Sequence, residues 1–310
     1  MRFDTSLKVT APGDREIVMR REFDAPRALV FDAFTKPELV RRWLLGPDGW
    51  SMPVCEIDLR VGGRYRYVWK RDKDGQTMGI SGVYRELSPP AREVQTERFD
   101  QAWYEGECVV TTVFEEREGR TAAVMTLLFE SKKTRDGVLK SGMESGVARS
   151  YDRLADILDE PAVLRTSAQR VALLHLTVPR AEIMKVMGPG LQELKDAVAS
   201  QGVAVTGPWF THHLRMDPKV FDFEIGVPVS AAVSPAGRMR PGVWPEARMA
   251  RTVHRGGYEK LGEAWGDFEK WMKAHGHAPE PDLWERYVEG PEAGPDPGAF
   301  RTELSRPLAG

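Results

Sequence analysis

Residues 15–23, REIVMRREF, alternate polar and apolar positions and predict a strand. In the next segment, DAPRALVFDAF, the period changes. Leu29, Val30, Phe31 and Phe34 fall on one side of a helix, with Asp24 placed to cap it and Pro26 in its first turn. A second short helix is expected from Pro37 into RRWLLGPDGW. Strands then follow in MPVCEIDL, GRYRYVWK, GISGVYREL, EVQTERF, ECVVTTVFEE and AAVMTLLFES, separated by turns such as RDKDGQ and LSPPAR. DGVLKSGMESGVARSYDRLADILDE reads as one long helix, because Met143, Val147, Tyr151, Leu154 and Leu158 recur on a single stripe. The order predicts an antiparallel sheet wrapped around an amphipathic helix.

DEPAVLRTSAQR, polar and Pro-containing, reads as a linker, so two domains are expected at 1–160 and 165–310. Beyond it the pattern occurs twice. ASQGVAVTGPWFTHHL matches KAHGHAPEPDLWERYV, setting Gly202 on Gly276, Phe210 on Trp284, Thr211 on Glu285 and His213 on Tyr287. FDFEIGVPV matches FRTELSRPL, setting Phe221 on Phe300, Glu224 on Glu303 and Pro228 on Pro307. A helix precedes each copy; in the second, Leu261, Ala264, Trp265, Phe268, Trp271, Met272 and His275 follow helical spacing. The prediction is an α+β chain whose second domain is a pseudo-twofold β-α-β-β repeat with one antiparallel sheet.

At 310 residues the chain exceeds a single typical core, which agrees with two domains. A net charge of −2, with neither half basic, gives no support to a nucleic-acid surface. No apolar run approaches the ~18 residues of a membrane span, and MRFDTSLKVTAPGD lacks the apolar core of a signal peptide. Cys55 and Cys108 belong to no C-x-x-C pair and are expected as buried thiols in a reducing, cytoplasmic setting. The six histidines show no metal-binding spacing and no G-x-S-x-G occurs, so neither a metal nor a cofactor is expected.

One position raises a chemical question. In DLWERYVEGPE the alternation sets Leu283, Glu285 and Tyr287 on one face and Trp284, Arg286 and Val288 on the other. Buried among aromatics without a partner, a carboxylate costs several kcal/mol, so Glu285 either faces solvent beside an arginine or awaits a ligand. With aromatic partners drawn from Tyr258, Tyr287 and Trp244, it would attract an organic cation. If the last two strands pair as a hairpin, Glu303 could neighbour Glu285 and raise one carboxyl pKa. Glu285 could then activate water while Tyr287 polarises a substrate.

The first half resembles the START-like superfamily, in its group related to the Hsp90 ATPase activator, through REFDAPRALVFDAFTKPELVRRWLLGPDGW, EIDLRVGGRYRYVW, GVYREL, MTLLFES and SGMESGVARSYDRL. The resemblance implies a helix-grip fold over residues 16–158, with a cavity between sheet and long helix. Its candidate lining is Trp43, Tyr67, Trp69, Tyr84, Phe99, Met125, Met143 and Tyr151. The second half, over 168–308, resembles the GyrI-like small-molecule-binding domain through VHRGGYEKLGEAWGDFEKWM, LWERYVEGPE and FRTELSRPL. That resemblance implies a cleft on the sheet face away from the helices, with an acidic residue among aromatics; the matching position is Glu285. A START-like segment stands where relatives carry a DNA-binding domain, which weighs against transcription. The function expected is binding of small hydrophobic or cationic molecules, for sensing or sequestration. Hydrolysis of electrophilic natural products by Glu285 and Tyr287, as some GyrI-like proteins suggest, is the first alternative. A chaperone-activator role is the second.

Overall fold

In the computed structural model the described residues are 6–101, 104, 106–117, 119–217, 219–291 and 294–309. Those up to Leu158 form one compact unit and those from Asp159 a second. Each is an antiparallel sheet with helices.

The first unit has, among its described residues, strands β1 Lys8–Thr10, β2 Glu16–Phe23, β3 Trp50–Ile57, β4 Arg64–Arg71, β5 Thr77–Ser88, β6 Arg92–Phe99, β7 Cys108–Arg117 and β8 Arg120–Leu128. They pair in the order β1-β2-β8-β7-β6-β5-β4-β3. Helices α1 Arg27–Thr35 and α2 Pro37–Trp43 connect β2 to β3. Asp24 does not cap α1: Pro26 holds that position, and Asp24 pairs with Arg120 at 2.6 Å. The expected single closing helix is two, α3 Lys132–Lys140 and α4 Met143–Asp159. Gly142 separates them at a φ of 77°, a left-handed conformation that ends a helix. Val138 of α3 packs on Ile17, Met19 and Val110. Tyr151, Leu154 and Leu158 of α4 pack on Phe23, Phe34, Trp43 and Phe114, so both helices cover one sheet face. The Ser131 hydroxyl accepts from the Thr134 amide at 3.1 Å and caps α3. Ser131→Ala is expected to cost about 1 kcal/mol, read as a lowered denaturant midpoint.

The second unit begins inside the expected linker, because β9 Ala162–Arg165 is a strand. There follow β10 Gln169–Pro179, α5 Ile183–Ala199, β11 Phe210–Met216, β12 Val220–Pro228, β13 Met239–Trp244, β14 Arg248–Arg255, α6 Leu261–Ala274, β15 Leu283–Glu289 and β16 Arg301–Pro307. The sheet order is β13-β10-β12-β11-β15-β16-β14-β9. β13 pairs with β10 through Trp244 and Gln169, and β14 with β9 through Arg248 and Arg165, so two nearly continuous ribbons bend together at residues 245–247. Helix α5 lays Leu194 and Val198 on Leu174, Phe223 and Ile225. Its Gly190 permits this approach, since a Cβ there would sit 2.8 Å from the Ile225 side chain. Helix α6 lays Phe268 and Met272 on Ala250 and Leu304. The opposite sheet face carries Val171, Leu173, Phe210, Trp244, Met249 and Trp284.

Candidate functional site

β15 lies at the middle of the second sheet, between β11 and β16. Glu285 stands across from Thr211 on one side and Leu304 on the other. Leu304 packs against α6, so Glu285 and Tyr287 lie on the face that carries the helices. This corrects the expectation of a cleft on the bare face.

The Glu285 side chain is 12% exposed. Trp265 of α6 donates its indole N–H to Oε1 at 2.7 Å, and the Tyr287 hydroxyl donates to Oε2 at 2.8 Å. His213 Nε2 stands 3.8 Å from Oε2. Burial pushes the Glu285 carboxyl up, but His213, Trp265 and Tyr287 together hold it below its ordinary value, so it is ionised at neutral pH. Burial first, and the Glu285 charge next, raise Tyr287 well above the usual phenol range and keep its proton in place. The Thr211 hydroxyl lies 3.3 Å from His213 Nε2 and 3.4 Å from the Tyr287 oxygen.

Aromatic rings surround this anion. Trp209 stacks on Tyr287 with centroids 3.9 Å apart, and Tyr258 meets Tyr287 edge-on at 5.5 Å. Phe300 packs on Tyr258 at 5.4 Å. On the far side His213 stacks on Phe223 and meets the edge of Phe221, each at 5.5 Å. A buried anion walled by π-faces offers both charge pairing and cation–π contact to an organic cation.

Of the residues expected at this site, the structure brings together Glu285, Tyr287 and Tyr258. Glu303 and Trp244 are elsewhere. Glu303 pairs in register with Arg286, one residue from Glu285, and so points to the opposite face. There Arg251 Nε donates to it at 2.8 Å and Arg286 lies at 3.8 Å. Trp244 is on that face too, 4.3 Å from Trp284 and beneath the Arg286 guanidinium at 4.7 Å. Glu285 and Glu303 therefore form no carboxylate pair. Sequence reasoning did not name His213, Thr211, Trp209 or Trp265 as site residues. The repeat expected from the sequence held a signal, since it aligns Thr211 with Glu285 and His213 with Tyr287.

The first unit holds a cavity of about 390 Å³ between sheet and helices. Trp43, Trp69, Met125, Met143 and Tyr151 line it, with Met19, Met78 and the 44–47 loop. Tyr67 and Tyr84 are not part of its wall; they pack in a buried cluster with Tyr65 and Ile80, and Phe99 packs against Tyr104. The 44–47 loop is pinned to α4, with the Ser150 hydroxyl accepting from the Gly46 amide at 2.9 Å and Arg153 donating to the Gly46 carbonyl at 2.7 Å. Both cysteines are free and buried. Among the described residues no group of three or more His, Cys, Asp or Glu could hold a metal ion, and no helix is long and apolar enough to cross a membrane.

Residues 24–159 match the family of activator of Hsp90 ATPase homolog 1-like proteins, and residues 159–309 match the GyrI-like small molecule binding domain. Among solved structures, a Rhodobacter sphaeroides protein is 29% identical over 49% of this chain and 97% of its own, with a TM-score of 0.47. A Chromobacterium violaceum protein is 27% identical over 47% and 98%, with a TM-score of 0.43. The C-terminal domain of EcmrR is 22% identical over 48% and 97%, with a TM-score of 0.44. No curated protein matches. The chain thus joins a segment that matches the activator of Hsp90 ATPase homolog 1-like family to a segment that matches the GyrI-like small molecule binding domain.

Proposed function

We propose that this protein binds small molecules for sensing or sequestration, and that its C-terminal unit takes a lipophilic organic cation at Glu285. One observation carries the reading: an ionised, nearly buried carboxylate enclosed by Trp209, Tyr258, Trp265 and Tyr287. Among the described residues the one basic side chain within 4 Å of Glu285 is His213. A ligand bringing its own positive charge completes the site. The N-terminal cavity, walled by Trp43, Trp69, Met125 and Tyr151, supports a second reading, that this unit takes an apolar molecule. Its volume falls within the ~300–1,000 Å³ of small-molecule sites.

Calorimetry on the full chain with tetraphenylphosphonium and tetraphenylborate tests the first reading, because the two ions share size and shape and differ in sign. The phosphonium is expected to bind and the borate to give no heat at the C-terminal site. Equal affinities, or borate preferred, would exclude a carboxylate-centred site. The Tyr287–Glu285 hydrogen bond of 2.8 Å also favours the hydrolytic alternative, with Glu285 as base toward water and Tyr287 as donor to the substrate. Product formation from an electrophilic natural product, lost in Glu285→Gln with binding retained, is the result that reading requires.

A further inference from the structure

The inner wall of the N-terminal unit carries a polar row that the apolar cavity does not explain. Met19 pairs with Met125, Met125 with Thr112, and Thr112 with Glu93, across β2, β8, β7 and β6. These four side chains share one face, and the first two line the cavity. Two strand spacings separate Met125 from Glu93, roughly 10 Å. Gln95 follows two residues on, on the same face, opposite Tyr84.

Glu93 is 4% exposed and Thr112 is 1% exposed. Glu93 Oε2, Gln95 Oε1 and Thr112 Oγ1 are buried and make no well-formed hydrogen bond, the Thr112 hydroxyl standing across from Glu93 and close enough to offset part of its burial. An orphaned buried acceptor costs about 1–3 kcal/mol, and three on one patch are out of keeping with a finished core. Tyr151 joins this patch to the cavity. Its ring lines the cavity, and its buried hydroxyl feels the charges of Arg21 and Glu93. Arg21 itself is turned to Asp152 of α4, to which it donates at 3.0 Å.

We propose that the N-terminal cavity takes a primary ammonium with an aryl or alkyl tail, the tail lying among Trp43, Trp69 and Met125 and the head on Glu93, Gln95 and Thr112. Its three N–H donors would meet the Glu93 carboxylate, the Gln95 carbonyl oxygen and the Thr112 hydroxyl oxygen. Burial pushes the unliganded Glu93 carboxyl up to about 7, and an ammonium beside it supplies the missing counter-charge. The inference rests on the reading of this cavity as a ligand site and adds the head group it selects.

The test is calorimetry on the full chain carrying Glu285→Gln, so that the C-terminal carboxylate does not contribute. The probes are 4-phenylbutylamine, protonated at pH 8, and the neutral 4-phenylbutan-1-ol. The amine is expected to bind at least ~10-fold tighter, as charge-assisted hydrogen bonds in a protected site allow. Adding Glu93→Gln should erase that preference and leave the alcohol unchanged. Thr112→Val, smaller in its effect on folding, should reduce the preference by a few fold. Gly146→Leu, which puts a side chain into the cavity mouth, should lose both ligands. An amine preference that survives Glu93→Gln overturns the head-group assignment while the cavity reading stands. Binding of both probes unaffected by Gly146→Leu, or of neither to the starting chain, overturns both.

Discussion

Glu285→Gln is expected to weaken tetraphenylphosphonium binding by ~1–3 kcal/mol, roughly 5- to 150-fold, because it removes the charge and nearly keeps the shape. Sequence considerations alone predict that stability holds or improves, since a desolvated charge is costly. The structure reverses that sign. Trp265 and Tyr287 both donate to this carboxylate, and an amide there sets its own N–H against one of them. The folded-state pKa of Glu285 is lowered, so its contribution to stability is full above the ordinary glutamate value and is lost as pH falls through the lower folded value. Glu285→Gln should therefore lower the melting temperature at pH 7 and lose that deficit progressively in acid. Unchanged cation affinity together with an unchanged melt would leave Glu285 as an ordinary side chain and remove the proposed site.

The largest stability effect belongs to the other face of the same sheet. Arg251 is 1% exposed and donates to Glu303, itself 7% exposed. Arg251→Met would leave Glu303 buried with Arg286 at 3.8 Å and the Ser305 hydroxyl at 3.5 Å. Removing one partner of a buried pair costs about 3–5 kcal/mol, whereas replacing both is often close to neutral. Arg251→Met should accordingly lower the urea midpoint strongly, and Arg251→Met with Glu303→Gln should recover most of the loss. The pH dependence has a definite sign. In the native protein burial pushes Glu303 up, but Arg251 and Arg286 hold it below its ordinary value, so its contribution disappears in acid. In Arg251→Met the carboxyl loses its main cation and its pKa rises, so the penalty is relieved as pH falls. The gap between the two proteins must narrow in acid. A constant gap from pH 7 to 4, or a loss under 1 kcal/mol, would refute the account.

Much of this architecture could be read from periodicity, because alternation and helical spacing report which side of an element is buried. In DLWERYVEG, Glu285 and Tyr287 separate from Trp284 and Arg286 as their two-residue period requires. Register could not be read. A bulge between Tyr287 and Glu289 shifts the β15–β16 pairing, and a single residue of slip decides whether Glu303 faces Glu285 or Arg286. Trp244 was misplaced for a related reason: the bend at 245–247 brings it against Trp284 on the bare face, a non-local contact that no local pattern encodes. The break between α3 and α4 had a visible cue in Gly142, and the apolar stripe from Met143 to Leu158 lies wholly within α4. The buried row at Glu93 was invisible, since EVQTERF reads as a strand with a polar outer face until the covering helices are in place.

Thr211 and Glu285 are counterparts in the repeat expected from the sequence, and the sheet sets them directly opposite each other. A position that meets its own copy cannot carry charge twice. A perfectly duplicated domain would hold two carboxylates ~5 Å apart across the strands, where like charges repel. The threonine at 211 removes that conflict and leaves a hydroxyl facing the glutamate's strand. On the proposed reading the count of ligands follows: a central, self-facing position provides one anion and would admit one cation per C-terminal unit, where two peripheral copies of the same residue would admit two.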